Sequence, residues 1–312
     1  MTDRLGVGIV GAGRVGAVLG NALRAAGHTV VGASGVSADS RERIGTLLPG
    51  VPVLGVDEIV ERAELVLLTV PDDALPDLVA GLGRLGAWHP GQIVVHTAGA
   101  VGTSVLAPVR AVGGIPLAIH PAMTFTGTSL DLARLAGCVF AVTGPAPVLP
   151  IGQALVVELG GEPVVVAEEA RGLYHAALAH GANHLVVLVA QAAHALAAAG
   201  IAAPDRVLGP LLAAALESAV RGSAAVGAGA RDGGVAALTG PVVRGDVGTV
   251  VGHLNELAEL TGRDQTAADL PGSYRVLARA ATTRALAGGR IRPDQAQRLL
   301  DVLAEPRAGE GG

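Results

Sequence analysis

Lysine is absent from this chain of 312 residues, so all 22 of its basic side chains are arginine. A catalytic lysine is therefore excluded. Cysteine occurs once, at Cys138, which excludes an internal disulfide; because an apolar run follows it, we expect Cys138 to be a core residue. The net charge of −5 gives no basis for binding nucleic acid.

Long uncharged apolar runs are also scarce, although half of the residues are hydrophobic and the mean hydropathy is +0.52. The segment that comes nearest to a membrane span, 185–199, is interrupted by Gln191 and His194, and no charged-then-apolar leader opens the chain. We therefore expect a soluble cytoplasmic protein without a membrane partner. The length allows a full hydrophobic core and predicts two domains.

A glycine-rich turn near the N-terminus is the feature on which the remaining interpretation depends. An apolar run leads into Gly11, Gly13 and Gly16, and an Ala/Leu-rich segment then carries the chain to a second apolar run at Thr29. This order predicts strand, glycine turn, helix and strand. The first glycine permits the tight turn, the second admits a pyrophosphate to the backbone, and the third lets the helix pack on the strand.

The predicted helix N-terminus favours phosphates through its free N–H groups and its dipole. The turn therefore predicts a dinucleotide site in which Arg14 and Val15 take part together with the three glycines. The alternative is an ordinary turn in a chain that is rich in glycine throughout.

No carboxylate directly follows the second predicted strand, where an NAD-specific site usually holds the ribose hydroxyls. The first one, Asp39, comes later, whereas Ser34, Ser37, Arg41 and Arg43 could receive a 2′-phosphate. NADP is therefore favoured over NAD. The alternative is that both arginines are solvated helix residues and that Asp39 is a helix cap.

Small or polar residues follow two further predicted strands. One apolar run ends at Val70 and Pro71, and another ends at His96 and is followed by Thr97 and Ala98. Open α/β sheets bind ligands at the carboxyl ends of their strands, so Val70, Pro71, Thr97 and Ala98 are candidates for contacting the cofactor. Ordinary strand-to-helix turns are the alternative.

The alternation of strands and helices stops near Ala167. We expect an NAD(P)-binding α/β domain with a Rossmann-type doubly wound sheet over residues 1–167, an all-α substrate and dimerisation domain over 168–305, and a disordered tail over 306–312. The first helix of the second domain, from Glu169 to Ala199, is apolar on nearly every side, which predicts burial between domains or subunits.

Five segments together resemble one bacterial family. They are GAGRVG at 11–16, VVHTAGA at 94–100, HPAMTF at 120–125, LYHAALAHGANHLVVL at 173–188 and ALTGPVVRGDVGTV at 237–250. The chain resembles the two-domain, Rossmann-like proteins with a helical C-terminal domain of uncharacterised function, which are related to ketopantoate reductase and pyrroline-5-carboxylate reductase.

The resemblance covers nearly the whole chain and implies a Rossmann domain, a helical dimerisation domain and hence a homodimer, and NADP-linked reduction of a small carboxylate substrate. One departure concerns the cofactor. Relatives often carry an arginine where this chain has Val36, which weakens the preference for NADP.

Hydride transfer to a carbonyl or imine requires a proton donor and a partner for the developing negative charge. The wider dehydrogenase superfamily often uses a lysine and an asparagine one helical turn apart; here Asn183 is present without the lysine. On a helix His175 and Asn183 share one side and Tyr174 adjoins them. Asn183 could hold the substrate oxygen while His175 or His120 supplies the proton. Alternatively, His120 caps a strand end and the helical residues are polar groups bonded within a domain seam.

The run from Thr239 to Asp246 could clamp a substrate acid, since it presents a hydroxyl, the guanidinium of Arg244 and a carboxylate. The alternative is a helix cap, with Asp246 capping the next helix and Arg244 paired to it. His180 and His184 have the spacing of metal ligands, but no acidic third ligand is evident nearby, so no metal is expected.

These observations predict an NADP-dependent reductase of a small 2-oxo acid, with a ketopantoate-like substrate as the first hypothesis. One alternative is an imine reductase resembling pyrroline-5-carboxylate reductase. The other is a catalytically silent NADP-binding or sensing protein, which the missing lysine favours.

Overall fold

The computed structural model describes residues 4–224 and 237–304, and the chain divides into two compact units, 1–181 and 182–312. The division falls after Gly181, inside a long helix and further along the chain than the boundary predicted near Ala167. The tail predicted at 306–312 lies outside the described residues.

The first unit contains a seven-stranded sheet. Its strands are β1 (Gly6–Val10), β2 (Thr29–Ala33), β3 (Leu65–Leu68), β4 (Ile93–His96), β5 (Ile115–Pro121), β6 (Val139–Thr143) and β7 (Glu162–Val165). The strand order is β2-β1-β3-β4-β5-β6-β7, and only the β5–β6 pair is antiparallel. The predicted Rossmann-type α/β fold is therefore confirmed.

Helices cover both faces of this sheet. They are α1 (Arg14–Ala25), α2 (Ala38–Leu47), α3 (Val56–Arg62), α4 (Leu75–Arg84), α5 (Ala107–Ala111), α6 (Leu130–Leu135) and α7 (Leu149–Glu158). Successive side chains of a strand point to opposite faces. In β3, Leu65 and Leu67 accordingly pack in the core that includes α1 and α7, whereas Val66 and Leu68 pack in the core formed with α3 and α4.

The carboxyl ends of β1 to β5 share one edge of the sheet, because these five strands run parallel. The chain order reverses at β1, with β2 on one side of it and β3 on the other. Open sheets bind their ligands at such a switch point, outside the carboxyl ends of the strands. Cys138, which directly precedes β6, is a buried residue of the core, as predicted.

The second unit is helical, which confirms the predicted all-α region. It contains α9 (Pro204–Ser223), α10 (Pro241–Arg244), α11 (Val247–Arg263), α12 (Leu270–Ala287), α13 (Pro293–Val302) and the C-terminal part of α8 (Arg171–Ala198). Its core lies among α11, α12 and α13, where Val250, Ala285 and Leu299 are completely buried.

In the single chain α8 is mostly exposed, with Val186 and Val187 among its exposed apolar side chains, and its burial between domains or subunits stays a prediction. In addition, the segment Glu168–Ala198, with a mean hydropathy of 1.3, is long and apolar enough to cross a membrane by length and composition alone. The expectation that Gln191 and His194 rule out such a segment is therefore wrong.

Candidate functional site

The glycine turn joins β1 to α1 with the geometry that the sequence predicts. Gly11 has φ +89°, in the left-handed region, and a side-chain carbon there would lie 3.0 Å from Cγ1 of Val70. At Gly16 such a carbon would lie 2.3 Å from Oγ1 of Thr69, so this position requires glycine for packing. At Gly13 it would meet only the Gly11 oxygen at 3.9 Å, which leaves space for a ligand against the backbone.

Two hydroxyls fix the backbone of this turn. Oγ1 of Thr69 donates to the carbonyl oxygen of Gly11 at 2.7 Å, and the amide of Gly11 donates to Oγ of Ser34 at 3.0 Å. Ser34, predicted to contact the cofactor, therefore supports the turn directly. The turn is held in shape by β2 and β3 before any ligand binds.

The end of β2 leads into α2, whose N-terminus is capped by Ser37. Oγ of Ser37 accepts from the amide of Ser40 at 3.1 Å, so the alternative in which Asp39 is the cap is wrong. Nε of Arg41 donates to the carbonyl oxygen of Gly35 at 3.2 Å, and this part of the chain carries no carboxylate before Asp39. Val36 is 95% exposed.

The loop after β4 carries the predicted residues Thr97 and Ala98, and the ring of His96 holds it by hydrogen bonds. The amide of Ala98 donates to Nδ1 of His96 at 3.2 Å, so Nε2 must carry the hydrogen that it donates to the Gly102 oxygen at 2.9 Å. Burial lowers the pKa of His96 to about 4, so the ring is neutral at physiological pH. The amide of Thr97 donates to Leu68 in β3, which ties the loop to the neighbouring strand.

The segment that leads into α8 also holds the loop after β4 by hydrogen bonds. The carboxylate of Glu168 accepts from the amides of Thr103 and Ser104 at 2.8 and 2.9 Å. These hydrogen bonds hold the pKa of Glu168 below its usual value. Arg171, the first residue of α8, is completely buried and donates to the carbonyl oxygens of Ala98 and Gly99.

Three predicted residues meet beside this loop within the first unit. Nδ1 of His120, near the end of β5, lies 2.9 Å from the hydroxyl of Tyr174 on α8. The ring of His175 lies edge-on to that of His120, with centroids 6.0 Å apart. A side-chain carbon at Gly99 would lie 2.4 Å from Cδ2 of His175 and 3.0 Å from Nε2 of His120. The rings therefore lie directly over the loop backbone.

The protonation states of this cluster follow from burial and from the charge of Arg171. Burial, with Arg171 second in importance, lowers the pKa of His120 to about 4. Burial also raises the pKa of Tyr174. At neutral pH the His120–Tyr174 pair therefore consists of a neutral imidazole and a neutral phenol that share a hydrogen bond.

The remaining catalytic candidates belong to the second unit, and their roles stay predictions. Asn183 is an exposed residue of α8, and Thr239 and Arg244 are exposed beside and within α10. Asp246 caps α11, because its carboxylate accepts from the amide of Thr249 at 3.1 Å. The helix cap was one of the two interpretations that the sequence left open for Asp246.

The second unit has a cavity of about 570 Å³ of its own, with mainly apolar walls from α8, α11 and α12. Tyr274 lines it, and the hydroxyl of Tyr274 lies 2.8 Å from Nδ1 of His253. In residues 4–224 and 237–304 no group of three or more His, Cys, Asp or Glu side chains is arranged to hold a metal ion.

Sequence reasoning missed four residues that build the site: Thr69, His96, Glu168 and Arg171. Arg171 carried a signal that could have been used, because no other charged residue follows it until Asp205. A single arginine at the start of so long an uncharged stretch is a candidate for a buried position. Thr69, by contrast, is an ordinary strand-end threonine in the sequence.

Two family models match the chain. Residues 1–121 match the Rossmann-like domain, and residues 138–281 match a domain of unknown function, DUF2520. No curated protein matches the sequence.

Solved structures resemble nearly the whole chain in fold. A provisionally assigned NADP oxidoreductase from Bacteroides fragilis is 20% identical with a TM-score of 0.69, covering 89% of this chain and 98% of its own. An imine reductase from Myxococcus stipitatus, solved with NADP⁺, is 18% identical with a TM-score of 0.62, covering 95% and 99%. A reductive aminase from Aspergillus terreus, solved with NADPH and ethyl levulinate, is 16% identical with a TM-score of 0.62, covering 96% and 99%.

Proposed function

Because the chain joins a Rossmann-like domain to a helical DUF2520 domain, we propose that it is an NADPH-dependent reductase of a small 2-oxo acid. The observation that carries this proposal is the neutral His120–Tyr174 pair beside the loop after β4, at the same sheet edge as the glycine turn. One sheet edge thus offers a phosphate-binding turn and a proton donor.

The residues of the turn fit a dinucleotide. Gly13 leaves open space where a side chain would stand, and the N-terminal amides of α1 begin directly after it. The N-terminus of α2 and Arg41 offer N–H donors to a 2′-phosphate, and no acidic side chain stands directly after β2 to hold the ribose of NAD. The bound cofactor would supply the hydride.

Reduction of a carbonyl adds a hydride to carbon and a proton to oxygen. We assign the proton to the hydroxyl of Tyr174, which is partly exposed, and its replacement to Nδ1 of His120, which lies 2.9 Å away. A neutral imidazole with hydrogen on Nδ1 donates to the phenol oxygen and leaves the phenol hydrogen directed at the substrate. As Nδ1 of His120 gives up this proton, Nε2 takes one from solvent, so the imidazole stays neutral and changes its tautomer.

An imine reductase is the second candidate, and the fold likeness to the Myxococcus imine reductase favours it. The chemistry of the pair favours the carbonyl, because an iminium is already protonated before hydride transfer and gains nothing from a neutral donor. The Aspergillus aminase was solved with ethyl levulinate, an ester of an oxo acid, so this fold has accommodated both kinds of compound.

The proposal extends to a homodimer in the cytoplasm. Apolar side chains of α8 and α9, among them Leu173, Val187, Leu211 and Val220, are exposed in the single chain. Exposed apolar surface of this extent marks an interaction site, and a second copy would cover it. Light scattering should give twice the chain mass, whereas a monomer that floats with lipid vesicles would indicate that α8 binds a membrane.

The decisive experiment is a panel of 2-oxo acids and cyclic imines assayed with NADPH and with NADH by loss of nicotinamide absorbance. Turnover of an oxo acid supports the proposal, and turnover of cyclic imines alone replaces it with the second candidate. Tight NADPH binding without turnover of any panel member would favour the third hypothesis, a cofactor-sensing protein.

A further inference from the structure

We propose that Arg171 is a positioning residue, whose buried guanidinium fixes the Ala98–Gly99 backbone under the His120–Tyr174 pair and places a permanent positive charge behind that pair. This proposal rests on one part of the proposed function, the assignment of the His120–Tyr174 pair as the proton donor. It concerns the role of Arg171 and not the identity of the substrate.

The contacts of Arg171 are the first argument. Its Nη2 donates to the Ala98 oxygen at 2.6 Å and its Nε to the Gly99 oxygen at 3.2 Å. Its Nη1 donates to Oγ1 of Thr143 at 3.1 Å and to the Ala141 oxygen at 3.5 Å. One rigid guanidinium therefore joins the loop after β4 to strand β6, and only arginine presents enough donors in a fixed fork to do so.

The chemistry of these acceptors is the second argument. All four are uncharged, and the side chain is 0% exposed. A buried guanidinium without a carboxylate directly bonded to it is costly, so a structural bridge alone would be made more cheaply by neutral groups. The retained charge therefore has a use beyond joining the loop to the strand.

The neighbouring titratable groups indicate that use. His120 is faced by Arg171, Tyr174 and His175 from α8 and by His96 from β4. Arg171 is the only one of these that is charged at neutral pH irrespective of its surroundings. The carboxylates of Glu168 and Asp72 act electrostatically on Arg171 and favour its charged form. The fixed charge keeps a proton off His120, which leaves His120 as the neutral partner of Tyr174.

The two halves of the proposal can be separated by substitution. Arg171→Lys keeps the charge but cannot bridge the loop and β6 with a rigid fork, whereas Arg171→Gln keeps polar contacts and removes the charge. Arg110→Gln, at an exposed position of α5, is the matched control. All variants are made in the full-length chain.

The test follows the His120 ring by NMR titration and the amides of residues 97–102 by hydrogen exchange, with no cofactor or substrate present. Arg171→Gln should raise the titration midpoint of His120 by about one pH unit, and Arg171→Lys should leave it low but speed loop exchange at least tenfold. Parental titration in Arg171→Gln together with parental exchange in Arg171→Lys would overturn the proposal.

Should Arg171→Gln fail to fold, Arg171→Lys is measured alone by NMR titration of His120 and by hydrogen exchange of the loop. Faster loop exchange with a parental His120 midpoint supports the proposal, and parental loop exchange refutes it. Calorimetry with NADPH on the parent protein is run alongside. Failure of the parent to bind NADPH would refute the proposed function while leaving the result on Arg171 intact.

Discussion

The hydroxyl of Tyr174 and Nδ1 of His120 lie 2.9 Å apart, and this contact joins the start of the long helix α8 to the end of strand β5. The chain contains only two tyrosines, and the other, Tyr274, makes the same kind of contact with His253 at 2.8 Å in the second unit. Tyr174 and Tyr274 therefore provide a test position and a matched control position for the proton donor.

Tyr174→Phe should lower kcat by on the order of 100-fold or more while leaving the Kd for NADPH within about twofold, because a general acid acts only on the chemical step. Tyr274→Phe, the control, loses an equivalent hydroxyl and should retain kcat. Steady-state kinetics on the best substrate of the panel gives both values. A Tyr174→Phe enzyme with parental kcat would remove Tyr174 as the donor.

Gly13→Val should abolish NADPH binding and leave the fold intact. A side-chain carbon at this position meets only the Gly11 oxygen at 3.9 Å, so the protein itself tolerates it, but the pyrophosphate would lose its approach to the backbone. Gly45→Val is the control, since an added side-chain carbon at Gly45, in α2, has nothing within 4 Å. Calorimetry measures affinity and circular dichroism the fold; undiminished affinity in folded Gly13→Val would place the cofactor elsewhere.

How much of this site the sequence predicts depends on the range of the interactions involved. The glycine turn is local, so residue spacing alone identifies Gly11, Gly13 and Gly16 and their separate roles. The strand ends follow nearly as well, because a parallel sheet brings them to one edge. His120 and Tyr174 are 54 residues apart, and the sequence could propose each as a candidate but not their contact.

The residues that the sequence did not predict are those that act through the backbone. His96 and Arg171 bind carbonyl oxygens and an amide of a loop, and no side-chain pattern reports such partners. What covers α8 could not be predicted for a related reason. An apolar helix indicates that something covers it, but does not say whether the same chain does so.

NADPH should bind more tightly than NADH, and Arg41→Ala should narrow the difference by about 1–3 kcal/mol if a charge-assisted bond to the 2′-phosphate is lost. Arg62→Ala removes an exposed arginine from α3 and serves as the control. Calorimetric titration of each variant with both cofactors measures the difference. Equal affinities for NADPH and NADH in the parent protein would mean that, with Val36 at this position, the protein has no site for the 2′-phosphate.

The stability of the protein should fall as the pH drops below about 6.5, with His96 as one cause. The folded-state pKa of His96 is lowered to about 4, so between these values the unfolded chain binds a proton that the folded chain excludes. The contribution is complete above pH 6.5 and is lost toward pH 4, at about 1.4 kcal/mol per pH unit. The free energy of unfolding, measured with urea between pH 4.5 and 7, should change less steeply with pH in His96→Gln than in the parent. An identical pH dependence in the two proteins would contradict this assignment.

Gly99→Ala should lower kcat strongly in a protein that still folds and still binds NADPH at the glycine turn. The added carbon would lie 2.4 Å from Cδ2 of His175 and 3.0 Å from Nε2 of His120, so one or both rings must move, and His120 can then no longer hold the Tyr174 hydroxyl at 2.9 Å. A displacement of this size from productive geometry is expected to cost on the order of 100-fold in kcat.

Gly172→Ala is the control for that substitution, because Gly172 lies on α8 beside the same cluster and has nothing within 4 Å of an added carbon. Its kcat should remain parental. The NMR signals of His120 and His175 report the displacement directly and should shift in Gly99→Ala alone. Parental kcat in Gly99→Ala, with shifted ring signals, would show that the geometry of these rings does not limit the reaction and that the proton comes from another group.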